Sequence, residues 1–353
     1  MTKIVKQGFM KYEAAKLKDI SKALGLSIST ISRALNDSYE ISEKTKKIVR
    51  EYAESINYRP NPVAVSLREK RSRSIGVILA EIANSFFSQI INGVESVAHA
   101  KGYNVIITQS LESYEREVSN INFLASRSVD GCLISVSTET NNYDHITKLH
   151  KSGFPFVCVD RVIDELKTHK VSIDNFKGAY DATSELIKSG FKRIAMLGNA
   201  EHLSITQQRL SGYKKALTDS GHEVDDSIIK YCIHGGMIYD EVEEAMNEAM
   251  QLQHKADAFF AGSDKLTTNF VRYCKAKNIS IPNKLGLVGF SNLDLTDLLT
   301  PALSVVRQPA FDMGKVAAEL LINLIEAKRP PADFETKVLQ PELLIRESSK
   351  KKK

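Results

Sequence analysis

From Ile75 onward, short β-branched runs alternate with amphipathic stretches, and this alternation limits what the chain can fold into more than any other feature. "IGVILA", "NVIITQS", "GCLISVS", "FVCVD" and "KVSID" supply one group of strands, and "RIAMLG", "IIKYCI", "DAFFAG" and "LGLVGFS" supply another. Short, continuously apolar runs between helices signal a parallel sheet covered on both faces, an α/β architecture. Gly102-Tyr103, Gly153-Phe154, Gly190-Phe191 and Gly221-His222 each follow a helical stretch and precede a strand or its lead-in. Glycine there permits the left-handed turn that ends a helix, so the repeat is structural punctuation rather than a phosphate loop.

A different kind of segment precedes this body. Residues 1–73 carry 16 Lys and Arg against 8 Asp and Glu, a net of +8; the whole chain is +5, which leaves −3 for the rest. A basic head on a mildly acidic body suits a polyanion partner, although a solvated surface has the same composition. At 353 residues there is chain enough for two or three domains. No apolar run reaches the roughly 18 residues of a membrane span. Charges interrupt "MTKIVKQGFMKYEAAKLKD" before a signal-peptide core forms, so a cytoplasmic location is expected, with no membrane partner.

Signs of catalysis are missing from the sequence. There is no GxxxxGK[ST], and no GxGxxG opens a helix after a strand. "GFSNL" at 289–293 starts like a nucleophile elbow but has Leu293 where the second glycine belongs. The histidines lack metal-ligand spacing. Cys132, Cys158, Cys232 and Cys274 form no CxxC pair and read as packed thiols. Neither an enzyme nor a metal or cofactor is expected.

Residues 17–57 read as three short helices. Leu17, Ile20, Ala23 and Leu24 make one apolar stripe, Gly25 ends the first helix, and Ser27 caps the second. The third starts at Ser42 and carries Ile48, Tyr52 and Ile56, with Val49 and Ala53 beside them, before Asn57 closes it. Helix, glycine turn and helix is the helix-turn-helix arrangement, whose second helix lies in the DNA major groove. In "SISTISRALN", Ile31 and Leu35 face inward, while Ile28, Ser29 and Arg33 face the groove. The hydroxyls of Ser29, Thr30 and Ser32 suit phosphates or base edges, arginine suits guanine, and Asn36 closes the helix beside them. "NPVAVSLREKRSR" at 61–73 then begins as a Pro-started helix and runs at once into basic residues. A helix this short is marginal in water by itself.

"LKDISKALGLSISTISRALN", "ISEKTKKIV" and "NYRPNPVAVSL" resemble the head of the lactose-repressor/galactose-repressor (LacI/GalR) family of bacterial transcription regulators. The resemblance continues through "SIGVI", "NSFFSQIINGVE", "VDG", "VSIDNFKGAY", "RIAMLG", "RLSGYKKAL", "VGFSN" and "TPALSVVRQP", nearly the whole chain from Leu17 to about Glu347. It implies a hinge helix that orders on double-stranded operator DNA and pairs with its twin in the minor groove. Leu67 would then wedge between base steps, with Val63, Ala64 and Arg68 against the groove or the twin; the alternative is a linker helix packed on the core.

The resemblance also implies an all-α head and a periplasmic-binding-protein-like core of two doubly wound lobes joined by three crossovers, with a ligand in the cleft. The expected boundaries are a head over 1–59, with 1–16 as an extension, and a hinge over 60–73. Lobe one takes 74–174 and 309–334, lobe two takes 175–308 and 335–347, and "ESSKKKK" leaves a disordered tail over 348–353. In the cleft, Phe87 stacks on the ligand or packs its own helix. Arg161 contacts the ligand and is oriented by Asp160. Arg209 grips hydroxyls or carboxylates, and Asp264 is either a ligand contact or a helix cap. Ser291, followed by Asn292, stands where many members place an aspartate that accepts from the ligand. With that acceptor replaced, Arg161 and Arg209 leave the cleft relatively positive, which favours a phosphosugar or sugar acid; the alternative is that Asp160 and Asp264 neutralise both arginines. The expected protein is a homodimeric DNA-binding regulator, a repressor by type, switched by a sugar or sugar derivative. The rival is a transport-type carbohydrate-binding protein, which would have no use for residues 17–73.

Overall fold

The computed structural model describes residues 15–59, 71–252, 255–329 and 331–351. The chain divides into two compact units between Ser72 and Arg73.

The first unit holds α1 (Leu17–Leu24), α2 (Ile28–Leu35) and α3 (Glu43–Ser55). Gly25 takes the left-handed conformation, and the Ser27 and Ser42 side chains accept from Thr30 N and Thr45 N, capping α2 and α3. Ile20, Ile31, Ala34, Val49 and Ala53 form the core, with Leu17, Leu24, Leu35, Tyr52 and Ile56 around it. Burying each large side chain contributes about 1.5–3 kcal/mol. Two expected core positions lie outside: Ala23 is exposed, and so is Ile48. The buried row of α3 runs through Val49 and Ala53, and its last buried position in the first turn is Lys46, whose ammonium pairs with Asp37 and Glu43.

The second unit contains two six-stranded sheets. The first lobe is built on β1 (Ser74–Leu79), β2 (Asn104–Gln109), β3 (Cys132–Ile134), β4 (Phe156–Val159) and β5 (His169–Ile173). α4 (Ser85–Ala100), α5 (Tyr114–Ser126) and α6 (Asp144–Lys151) connect its first four strands. The second lobe is built on β6 (Ile194–Gly198), β7 (Ile229–Tyr231), β8 (Ala258–Ala261), β9 (Gly286–Phe290) and β10 (Ser304–Arg307). α7 (Asn175–Lys188) leads into it, and α8 (Ser204–Asp219), α9 (Tyr239–Gln251) and α10 (Asp264–Ala276) lie between its strands. α11 (Ala310–Glu326), β11 (Thr336–Leu339) and β12 (Glu342–Leu344) complete the unit. The strand orders are β11-β5-β4-β3-β1-β2 and β12-β10-β9-β8-β6-β7, parallel throughout except for β12 against β10. All four punctuating glycines have positive φ, and all four cysteines are buried free thiols.

The chain passes between lobes after β5, after β10 and between β11 and β12. Two expectations need correction. β11 pairs with β5, Thr336 opposite Lys170, so the first lobe extends to Leu339 and the return falls after it rather than at 335. The expected disordered tail is wrong for its first residues: Glu347–Ser349 form a 3-10 turn, with Ser348 and Ser349 fully buried. Ser304 N donates to Ser348 Oγ, which donates to Leu287 O, and the Ser304 and Ser349 hydroxyls lie 2.7 Å apart. Hydroxyls that satisfy backbone groups anchor this segment where apolar content could not.

Candidate functional site

In the first unit, Ile28, Ser29, Ser32, Arg33 and Asn36 share one face of α2, opposite the core residues Ile31, Ala34 and Leu35. Ile28 is 47% exposed, which leaves its side chain open on this face. Ser29 and Arg33 are also exposed, and Arg33 lies 2.8 Å from Glu40. The Ser29 hydroxyl lies 2.8 Å from Ser27 Oγ, and Thr30 and Asn36 are also engaged within the helix. The Thr30 hydroxyl lies 2.8 Å from Ser27 Oγ, and Asn36 Nδ2 donates to Ser32 O, closing the helix. Glu40, which holds Arg33 ready in the loop before α3, was not singled out from sequence. The hinge residues Val63, Ala64, Leu67 and Arg68 lie outside the described residues.

In the second unit, a cavity of about 50 Å³ lies between the carboxyl ends of the two sheets, where open α/β folds bind ligands. It brings together Phe87, Asp160, Arg161, Arg209 and Asp264. Phe87 is 4% exposed at the start of α4, with its ring centroid 5.2 Å from that of Phe86. Asn84 caps this helix, its side chain accepting from Phe86 N at 2.9 Å, and it also lines the cavity.

Arg161 does not pair with Asp160 as expected. Its guanidinium takes Glu112 in a two-pronged grip, Nη1 to Oε2 at 2.6 Å and Nη2 to Oε1 at 2.8 Å, and Nη1 also donates to Val136 O. Glu112 gave no sequence signal. It follows β2, and only the fold carries it to the ends of β3 and β4, where Thr138 N also donates to it. Asp160 has φ 64°, and burial raises its carboxyl above the ordinary range against the pull of Arg209 and Arg161. Arg209 stacks 3.9 Å over the Phe290 ring and donates to Asn175 Oδ1, Gly262 O and Gln308 Oε1. Burial pulls it down to about 10, still charged at neutrality.

Asp264 is not the cap of α10; that is Ser263, whose hydroxyl accepts from Leu266 N. Asp264 Oδ1 accepts from Ser291 Oγ at 2.5 Å and Asn292 N at 2.9 Å. The buried Oδ2 has no well-aligned hydrogen bond among the described residues, the Phe86 and Leu293 backbone amides lying beside the carboxylate. Ser291 therefore stands behind Asp264 and does not line the cavity. Asn292 is also spent within the protein. Its Nδ2 donates to Gln89 Oε1 and Gln308 O, and its Oδ1 accepts from Gln308 N.

The expected positive cleft is not what the fold assembles. Four carboxylates, Glu81, Glu112, Asp160 and Asp264, line the cavity against three cations, Arg161, Arg209 and Lys265. Lys265 and Glu81 join across the lobes at 2.9 Å. Asn199, Met237 and Gln308, also in the lining, were not singled out from sequence; Asn199 and Gln308 border strands whose motifs mark the family and not which side chain enters the cleft.

A cleft between two parallel-sheet lobes, on the same chain as a helix-turn-helix with an open recognition face, defines a DNA-binding regulator with a binding-protein-type sensor. Residues 16–61 match the family model for bacterial regulatory proteins of the lacI family, and residues 72–340 match that for periplasmic binding proteins and the sugar-binding domain of the LacI family. The chain belongs to the LacI family of bacterial transcriptional regulators. It is 33% identical over 304 residues to catabolite control protein A of Priestia megaterium, covering 86% of this chain and 90% of that one. Among solved structures it is similar to a transcriptional regulator CelR–cellobiose complex, with a TM-score of 0.69, 26% identity, and 95% and 99% of the two chains covered. The lac repressor dimer bound to operator and an anti-inducer shares the fold, with a TM-score of 0.78 at 21% identity over 96% and 99% of the chains.

Proposed function

We propose that this regulator binds a near-palindromic operator as a homodimer, each head reading one half-site through Ile28, Ser29 and Arg33, and that a sugar-type effector in the cleft controls the affinity. The observation that carries this reading is the orphaned Asp264 Oδ2, a buried acceptor beside Arg209, Asp160 and Phe87 in the interlobe cavity. Such a group needs a donor, and sugar hydroxyls supply donors. The hinge residues Val63, Ala64, Leu67 and Arg68 would fold on the operator, Leu67 entering the minor groove. Repression is the mode suggested by relatives whose names call them repressors, among them PurR of Vibrio atlanticus and CytR of Escherichia coli. A non-enzymatic role in the cytoplasm fits a DNA-binding regulator, and no described helix is long and apolar enough to cross a membrane. The test selects operators from random duplexes with the full chain, then titrates mono- and disaccharides into the selected complex. Selection of a two-fold symmetric site and a saturable sugar effect are expected; sequence-indifferent binding would defeat the reading.

A further inference from the structure

Resting on a sugar-type effector between the lobes, we propose that Glu112 sets the charge selectivity of the cleft, turning it away from phosphorylated and acidic ligands toward polyols without negative charge. A buried arginine at the end of β4 is suited to hold a phosphate or carboxylate in two parallel hydrogen bonds. In this chain Glu112 already occupies that fork, in the geometry an anionic ligand would use. The site carries its own anion.

The remaining charges point the same way. Lys265 is paired with Glu81 and Arg161 with Glu112, so Asp160 and Asp264 are left with Arg209 as the one described lining cation without a carboxylate partner, although Arg161 also acts on Asp160 through space. That cation, Arg209, spends its observed bonds on neutral acceptors. Among the described lining residues, two buried acceptors without partners, Asp264 Oδ2 and Asn199 Oδ1, require donors. Against them stands one buried donor, Arg161 Nε, on the far side of the guanidinium from the Nη1 and Nη2 that hold Glu112. Hydroxyl and ammonium groups provide donors; phosphate oxygens do not. Burial holds the Asp160 and Asp264 carboxyls above the ordinary range, as expected where carboxylates lack full compensation.

The backbone is shaped to deliver Glu112. Leu111 and Glu112 are consecutive non-glycine residues with φ of 50° and 63°, a combination that costs free energy and persists only where its surroundings enforce it. From the other lobe, Gly235 approaches so closely that a Cβ there would lie 3.3 Å from Glu112 Oε1. Both lobes thus converge on this carboxylate.

The experiment has two arms, both on the full chain. In the first, sulfate is titrated against chloride at constant ionic strength and thermal stabilisation is followed. Wild type should show no saturable response. Glu112→Gln, which frees the Arg161 charge, should gain one, and Arg161→Gln in that background should remove it. A folded Glu112→Gln protein without a saturable sulfate response would overturn the proposal. In the second arm, wild type meets neutral hexoses and pentoses, their 2-amino derivatives, their phosphate esters and their uronic acids. Any parent sugar that binds should do so roughly tenfold or more tightly than its phosphate; the reverse order would overturn the proposal even if Glu112→Gln does not fold. Silence across the whole panel would instead reject the sugar reading of the cleft, while the sulfate arm still decides the role of Glu112.

Discussion

Arg33 is the residue through which sequence preference should act most visibly. It is exposed on the open face of α2 and held 2.8 Å from Glu40, a surface pair weak enough to give way to a base edge. Arg33→Ala is expected to cost about 1–3 kcal/mol of operator binding and to relax preference at one base position, read by binding to a set of singly substituted operators. Asp264 offers a second test. Burial raises its carboxyl despite the hydrogen bonds from Ser291 and Asn292. The folded protein therefore keeps this proton where the unfolded chain has lost it, and the associated stability is lost as pH rises through the raised value. Relative to wild type, Asp264→Asn should gain stability as pH rises above the ordinary aspartate range, in unfolding curves at a series of pH values. The same variant should bind effector roughly tenfold or more weakly, having lost a charged acceptor. Arg161, Arg209 and Asp264 were all legible as cleft residues, but their partners were not. The Arg161–Glu112 pair spans 49 residues and depends on two left-handed backbone positions. Ser291 looked like a lost acceptor because sequence could not show it standing behind Asp264.

The elements that rest on periodicity came through most fully. Strand runs, the glycine punctuation and the serine caps of α2 and α3 are local signals, and the fold uses each where the spacing places it. Two helical positions, Ala23 and Ile48, fell off the buried face, and the remaining failures depended on edges. β11 is an edge strand with Thr336, Lys337 and Val338 exposed, so its residues do not say which sheet it joins. Ser348 and Ser349 dock through hydroxyls, which composition counts as polar and therefore as solvent-facing. Helix contacts were equally silent in sequence. Gly93 of α4 and Gly314 of α11 let the two helices approach until a Cβ on Gly314 would overlap Ile90 O and lie 3.0 Å from Val94 N. Gly314→Ala gains up to about 1 kcal/mol in helix propensity, yet it must separate two backbones in a packed core, at about 1–3 kcal/mol. Net destabilisation is expected, seen as a lower urea midpoint with an unchanged slope.

At the scale of the whole molecule, the sign of one coupling is fixed before the effector is known. The lobes are tied by the Lys265–Glu81 pair and by two hydrogen bonds between Gln89 and Asn292, at 2.8 and 3.2 Å. The cavity they flank is narrow, about 50 Å³, and an effector that parts the lobes on entry is then held as they close. On this reading the effector draws on the joined arrangement, and Gln89→Ala works against it. Losing both bonds, at about 1 kcal/mol each, should weaken effector binding by up to roughly thirtyfold. Operator affinity depends on the same equilibrium, since a ligand shifts only states for which it has unequal affinity. The effect of Gln89→Ala on operator binding without effector should therefore be opposite in sign to the effector's own effect on wild type. If the effector releases DNA, the variant should bind DNA more tightly; if it tightens DNA, the variant should bind more weakly. Fluorescence anisotropy with a labelled operator measures both, and changes of the same sign would show that closure between the lobes is not the motion that links cleft to operator.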